Sequence, residues 1–141
     1  MKRLHRLVVC TSVVSIAAVV FGMTAASAQG AGPSRVVPPS SLVLSIYRGE
    51  DTSSGSLLSQ VILTCDPDGG THPQASAACN ALRSVDGNIN ALPSDHVFCP
   101  LFYAPITATA WGWWQGQWVA FQRTYGNTCE LHRATKPVFE F

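Results

Sequence analysis

Features that mark an enzyme or a nucleic-acid-binding protein are missing from this sequence. It has no Gly-x-Ser-x-Gly elbow, no His-Glu-x-x-His pair and no phosphate-binding glycine loop. Charged residues make up only 12% of the chain and form no basic run. We therefore expect no catalytic residues, no cofactor and no nucleic-acid partner, which favours a binding module over an enzyme. A small hydrolase whose acid pair meets only in the folded chain is an alternative.

The sequence also lacks a Cys-x-x-Cys pair, and its histidines lie far from metal-ligand spacing. We therefore predict disulfides rather than a zinc site, and no bound metal. Besides Cys10, the chain has four cysteines, which allow three pairings; they are Cys65, Cys79, Cys99 and Cys129.

The first 28 residues have the composition of a secretory signal. Three basic residues at positions 2–6 precede an almost uncharged apolar run at 7–23, and Ala26-Ser27-Ala28 matches a cleavage site. A transmembrane anchor is the alternative, but the run is short and ends at the cleavage pattern. We expect cleavage after Ala28, secretion to the extracellular space and no membrane contact afterwards.

Residues 29–40 are rich in Gly, Pro and Ser and predict a flexible N-terminal leader. Residues 41–141 then form one domain of modest size. Three of the nine basic residues and none of the eight acids lie in the signal, so residues 29–141 carry a formal charge of −2.

Alternating apolar residues and turn signals predict mainly antiparallel strands with one good helix, an α+β pattern. The first two strands form a hairpin. Gly112 is expected to interrupt the third strand, and Gln115-Gly116 to bend a long fourth one. The expected strands are 42–47, 57–64, 106–111, 113–125 and a short final strand at 138–141.

The helix is expected to begin near Pro73, because proline suits a first helical turn and alanines follow it. Ala75, Ala78, Cys79 and Leu82 recur at helical spacing and should pack on the sheet. Cys79 on this face reaches back to Cys65 at the end of the preceding strand, so we favour the pairs Cys65–Cys79 and Cys99–Cys129. We expect the nearby His72 to have a capping or core role rather than a catalytic one.

The segment 95–105 places two large apolar residues, Leu101 and Phe102, between Pro100 and Pro105. Proline fixes its own φ and favours extended backbone in the residue before it. With a disulfide at Cys99, this pattern predicts a stiff loop that presents apolar side chains to a partner. A buried strand anchored in the core by Cys99 is the alternative.

The four tryptophans lie between positions 111 and 118. Trp114, Trp118 and Ala120 are expected on one side of a strand, with Val119 and Phe121 on the other. A core that extends into a dimer face is our main interpretation. A carbohydrate-binding or adhesion module using Trp111–Trp118 is the alternative function.

With these features in order, the chain resembles the Streptomyces subtilisin inhibitor-like proteins over nearly all of residues 29–141. The motifs that carry the resemblance are Ser41-Leu42-Val43-Leu44, Thr64-Cys65, Gly70-Thr71-His72-Pro73, Ala78-Cys79, Asn90-Ala91-Leu92, Cys99-Pro100, Tyr103-x-Pro105, Trp114-Gln115-Gly116, Asn127-x-Cys129-Glu130 and Val138-Phe139-x-Phe141.

The resemblance implies an α+β fold: a five-stranded antiparallel sheet with one longer and one short helix, two disulfides paired as above, and a homodimer formed through sheet faces. It also implies an inhibitor of extracellular serine proteases, subtilisin-like first and chymotrypsin-like second. The reactive bond corresponds to Leu101–Phe102, with Leu101 as the primary specificity residue and Asn127 as loop support. The implied protease-binding loop contains Phe98, Cys99, Pro100, Leu101, Phe102 and Tyr103.

Overall fold

The computed structural model of the protein describes residues 37–141. The predicted signal at 1–28 and residues 29–36 of the predicted leader lie outside the described residues. Five strands form one sheet in the order β3-β2-β1-β4-β5, and all the pairings are antiparallel. The elements are β1 (Ser40–Arg48), β2 (Ser56–Cys65), β3 (Gly69–Gly70), α1 (Ala75–Ser84), a 3₁₀ turn (Ile89–Ala91), β4 (Ile106–Trp114), β5 (Gln117–Tyr125) and α2 (Thr128–Thr135).

The core lies between one face of the sheet and the two helices. α1 contacts β2 and β3, whereas α2 contacts β4 and β5. Alternate residues of β1, including Leu42 and Leu44, are fully buried against this layer. From α1, Ala78, Cys79 and Leu82 are buried as the helical spacing predicts, with Ala75 partly buried at the edge.

The β1–β2 hairpin confirms the prediction for the first two strands, but Gly112 does not interrupt β4. The strand continues through Gly112, which pairs with Leu42 of β1. Its φ is +144°, and a Cβ at this position would lie 2.1 Å from the Ser41 carbonyl oxygen. Glycine is therefore what allows the two strands to approach here.

The predicted long strand around Gln115-Gly116 is in fact a tight hairpin turn. Both residues have positive φ, 46° and 83°, as a type I′ turn requires. Trp114 pairs with Gln117, so the side-chain alternation shifts by one residue on the return strand. The expectation that Trp114 and Trp118 share a face is therefore wrong: Trp114 is buried, and Trp118 is 57% exposed on the opposite face.

The C-terminal region also departs from the residue pattern. Residues 138–141 form no strand, although Val138 and Phe139 are fully buried. The fifth strand is instead the two-residue β3, which pairs with the end of β2. Beyond the one helix expected from the residue pattern, the chain forms α2 after Gly126. Its first residues carry a helix-start signal, Asn127 followed three positions later by Glu130, which the strand-based interpretation overlooked.

Candidate functional site: an exposed loop tied to α2 by a disulfide

Residues 93–105 form a loop without regular secondary structure before β4. Its apolar side chains point into solvent: Phe98 is 91% exposed, Leu101 93%, Phe102 59% and Tyr103 69%. Such a run of exposed apolar residues is unusual on a monomer and marks a surface for a partner. The alternative of a buried strand through the core is wrong, because only Cys99 within 93–104 is buried.

A disulfide anchors the loop two residues before Leu101. Cys99 is 6% exposed and is bonded to Cys129 in the first turn of α2, across a sequence separation of 30 residues. The second bridge joins Cys65 to Cys79 and ties α1 to the end of β2. Both favoured pairings are present, so none of these four thiols is available as a metal ligand or nucleophile.

Asn127 holds the loop from behind. Its side chain is 2% exposed, and its Nδ2 group donates hydrogen bonds to the carbonyl oxygens of Pro100, at 3.0 Å, and Phe102, at 3.1 Å. These two carbonyls flank that of Leu101. One amide therefore fixes the backbone on both sides of the Leu101–Phe102 bond while the Leu101 carbonyl accepts neither bond.

The position of Asn127 follows from its role as the N-cap of α2. Its backbone is extended, and its Oδ1 accepts a hydrogen bond from the Glu130 N–H at 3.1 Å. The Glu130 carboxylate accepts in turn from the Gly126 N–H, also at 3.1 Å. Helix capping uses the oxygen of the Asn127 amide and loop support uses its nitrogen, so the two functions do not compete.

The segment after the Leu101–Phe102 bond is held by the residues that follow β1 and β5. The Ala104 N–H donates to the Gly126 carbonyl at 2.8 Å, and the Gly49 N–H donates to the Pro105 carbonyl at 2.9 Å. The Tyr103 hydroxyl donates to the Glu50 carboxylate, and this hydrogen bond raises the pKa of Tyr103. The sequence interpretation missed the β1–β2 loop as a support, since no local pattern links Glu50 to a residue 53 positions away.

The beginning of the loop is attached to α2. The Asp95 N–H donates to the Arg133 carbonyl at 2.8 Å, and the Ser94 hydroxyl donates to the same oxygen at 3.3 Å. Residues 95–105 are thus supported at both ends and in the middle while the side chains of Phe98, Leu101 and Phe102 remain exposed. Rigid backbone with exposed side chains is the arrangement of a preorganised binding loop.

His72, the histidine next to the helix start, is a structural residue. It is 5% exposed, its Nδ1 accepts from the Gln74 N–H at 3.0 Å, and its Nε2 lies 3.1 Å from the Val138 carbonyl oxygen. Burial lowers the pKa of this imidazole. Of the expected capping or core role, the core role is confirmed. The N-cap of α1 is Gln74, and no side chain caps this helix.

A groove of about 480 Å³ lies beside the end of the loop, next to Ala104 and Pro105. Its lining contains one charged side chain, Arg48, and no histidine, cysteine or carboxylate. This lining does not supply the nucleophile–base pair of a hydrolase.

The uncovered face of the sheet carries an apolar band that crosses four strands. In one row Ile62 pairs with Val43, Val43 with Trp111, and Trp111 with Ala120. In the adjoining row Trp113 pairs with Trp118, and their rings meet edge to face with centroids 5.3 Å apart. The large members are 37–57% exposed: Val43, Ile62, Trp111, Trp113 and Trp118.

Comparison with known proteins agrees with this geometry. The family model described as "Subtilisin inhibitor-like" matches residues 38–127, from the start of the sheet to the loop-supporting asparagine. The chain belongs to the subtilisin inhibitor-like family.

Two relatives show how far the likeness extends in sequence. This subtilisin inhibitor-like chain is 46% identical over 105 residues to subtilisin inhibitor-like protein 5 of Streptomyces fradiae, covering 73% of this chain and 98% of the relative. It is 40% identical over 119 residues to the subtilisin inhibitor of Streptomyces albogriseolus, covering 83% of each chain.

A solved structure shows the same fold. Sermetstatin of Streptomyces caespitosus, in complex with subtilisin of Bacillus licheniformis, is similar with a TM-score of 0.65 and 34% identity. The alignment covers 74% of this chain and 100% of sermetstatin. The two sequence relatives are named as a subtilisin inhibitor-like protein and a subtilisin inhibitor, and sermetstatin is bound to subtilisin. None of the three supports the carbohydrate-binding alternative.

Proposed function

We propose that this protein inhibits extracellular serine endopeptidases of the subtilisin type, and chymotrypsin-like enzymes second. The loop 98–103 enters the protease as a substrate strand, and Leu101–Phe102 is the reactive bond. The observation that carries the proposal is the Leu101 side chain, 93% exposed on a backbone fixed by Cys99–Cys129 and Asn127. A relative bound to subtilisin supports the same partner class.

The inhibitor supplies geometry, and the protease supplies the chemistry. A serine protease binds an extended strand and attacks one carbonyl with its own serine, histidine and oxyanion hole. The loop loses little conformational freedom on docking, because the disulfide, the two prolines and the Asn127 bonds already restrict it. More of the free energy gained from contacts with the protease then contributes to affinity. We expect the interface to bury about 1,600 Å² in total.

Resistance to cleavage follows from the same restraints. If the acyl-enzyme forms at Leu101, Cys99 keeps the acyl side attached to α2 while Asn127 holds the Phe102 carbonyl beside it. The new Phe102 amine stays at high effective concentration next to the ester, so religation competes with attack by water.

Side-chain chemistry selects the protease. Leu101 is uncharged and γ-branched, which suits a wide apolar primary pocket and offers no cation to a trypsin-type carboxylate. Phe98, 91% exposed and three residues before Leu101, suits a second apolar pocket. Subtilisin-like enzymes therefore rank first among the targets.

The decisive experiment titrates subtilisin with the purified protein and follows hydrolysis of a small substrate. We expect loss of activity at one loop per protease, with mass spectrometry finding any slow cut between Leu101 and Phe102. Unchanged activity at equimolar concentration would overturn the proposal. Hydrolysis of ester substrates by the purified protein in the absence of subtilisin would instead favour the hydrolase alternative.

We also propose that the protein is a homodimer that buries the apolar band on the open sheet face. Exposed tryptophans and branched aliphatic residues in adjoining rows suit an isologous contact, in which each copy covers the same face of the other. Trp111→Arg places a charge in this face and is expected to give a monomer in analytical ultracentrifugation. Leu58→Arg is the matched control, since Leu58 is also exposed but lies outside the band. A monomeric wild type would refute the dimer.

The extracellular location is part of the same proposal. Two disulfides suit an oxidising compartment. The described residues contain no helix long and apolar enough to cross a membrane. The test is recovery of the oxidised protein from the culture medium of an expressing cell, with an N-terminus at Gln29; retention inside the cell would contradict it.

A further inference from the structure

We propose that Glu50 is a positioning residue for the reactive loop and acts through the Tyr103 hydroxyl; this rests on the proposed inhibitory function. Tyr103 follows the Leu101–Phe102 bond by one residue, on the side that becomes the leaving amine. Its hydroxyl donates to the Glu50 carboxylate. The bond joins the loop to the β1–β2 turn, 53 residues earlier in the chain.

The leaving side needs such a support because the disulfide acts on the other side. Cys99 precedes the reactive bond, so after cleavage the disulfide holds the acyl segment close to the bond on one side. The segment that begins at Phe102 joins the scaffold four residues later, at the start of β4. Besides this link to β4, the residues next to the new amine are held by hydrogen bonds from Asn127 to the Phe102 carbonyl and from Ala104 to the Gly126 carbonyl. The Glu50–Tyr103 bond adds a side-chain restraint between these two backbone contacts.

Glu50 is suited to this role because its own backbone is fixed. The Glu50 carbonyl accepts from the Thr124 hydroxyl at 2.8 Å, and the neighbouring Gly49 carbonyl accepts from the Thr107 hydroxyl at 2.9 Å. The Gly49 N–H in turn donates to the Pro105 carbonyl at 2.9 Å. The carboxylate therefore projects from a backbone tied to β4, to β5 and to the end of the loop itself.

The neighbouring acid in the same turn has a different use. The Asp51 carboxylate accepts four hydrogen bonds from Ser53 and Ser54 and so shapes the turn itself. Glu50 is the residue of this pair that contacts the loop. A substitution at Glu50 should therefore affect the loop without removing the hydrogen bonds that shape the turn.

The experiment measures the equilibrium between intact and cleaved inhibitor at the Leu101–Phe102 bond, using catalytic amounts of subtilisin and mass spectrometry. This ratio depends on how well the free ends are held together and not on contacts with the protease. Because the bond is charge-assisted but exposed, we expect Glu50→Ala to raise the cleaved-to-intact ratio about 5-fold. Glu50→Gln keeps an acceptor for the hydroxyl and should restore part of the difference.

Tyr103→Phe removes only the hydroxyl and should match Glu50→Ala, and the double variant should show no further increase. Glu140→Ala is the control, since that carboxylate pairs with Lys136 and not with the loop. Ratios equal to wild type in Glu50→Ala, or fully additive effects in the double variant, would overturn the proposal. A wild type that fails to inhibit subtilisin would instead overturn the proposed function, so the two failures are distinct.

Discussion

Asn127 offers the sharpest test of the loop-support argument. Its amide group both caps α2 and holds the loop, and these two roles can be separated by mutation. Asn127→Ala removes both loop bonds and the N-cap of α2. Loss of the cap costs about 1 kcal/mol of unfolding free energy. Freeing the backbone around Leu101 restores conformational freedom worth ~2 kcal/mol on docking, which is about a 30-fold weaker inhibition constant.

Asn127→Ser separates the two effects. A serine hydroxyl can accept the Glu130 N–H bond and is a good N-cap, but it is too short to reach the carbonyls of Pro100 and Phe102. We expect the unfolding free energy to stay within ~0.5 kcal/mol of wild type while inhibition weakens about 30-fold and cleavage accelerates. Glu130→Ala is the converse control: it removes the Gly126 bond, so stability falls while inhibition is retained.

The assays are chemical denaturation for stability and subtilisin progress curves for inhibition. If Asn127→Ser inhibits as tightly as wild type and is cut no faster, then the amide bonds to Pro100 and Phe102 do not restrain the loop. The same conclusion follows if stability and inhibition fall together in all three variants, because the loop would then depend on global folding alone.

Three further outcomes are expected. Leu101→Lys should tighten inhibition of trypsin about 100-fold, ~2.7 kcal/mol, at the expense of subtilisin; unchanged preference in parallel inhibition assays argues against Leu101 as the determinant. Replacing Cys99 and Cys129 with serine opens a loop of 30 residues, which costs ~3.6 kcal/mol of unfolding free energy. It should turn the protein into a substrate cut after Leu101; full inhibition by the variant contradicts the tether. Burial lowers the pKa of His72 and His132 in the folded protein, so below pH ~6.5 the unfolded chain binds more protons than the folded one. The unfolding free energy should therefore be highest above pH ~6.5 and fall on acidification, and denaturation at a series of pH values should show a shallower fall for His132→Gln.

Local sequence patterns predicted the strands and the helix in which buried and exposed residues recur at a regular spacing. Alternation in β1 and helical spacing in α1 matched the observed faces, because each places its apolar residues on the core side within a few residues. The alternating pattern failed where a turn shifts which residues face the core. At Gln115-Gly116 the chain reverses in a hairpin, and Trp118 lies on the opposite face of the sheet from Trp114. It failed again at residues 138–141, where burial arises from packing beneath the sheet rather than from strand pairing.

The sequence by itself determined the residues of the candidate site: a cysteine, two prolines and large apolar side chains in one short segment, with a family likeness that pointed to Asn127. That these apolar side chains are exposed came from the tertiary structure. Tertiary structure alone decided which groups hold that segment, because the supports come from residues distant along the chain. Glu50 reaches Tyr103 across 53 positions, and Asn127 reaches Pro100 across 27. Which distant segments come within hydrogen-bonding distance depends on the order and pairing of the strands in the sheet. Patterns within a short stretch of sequence do not predict that order.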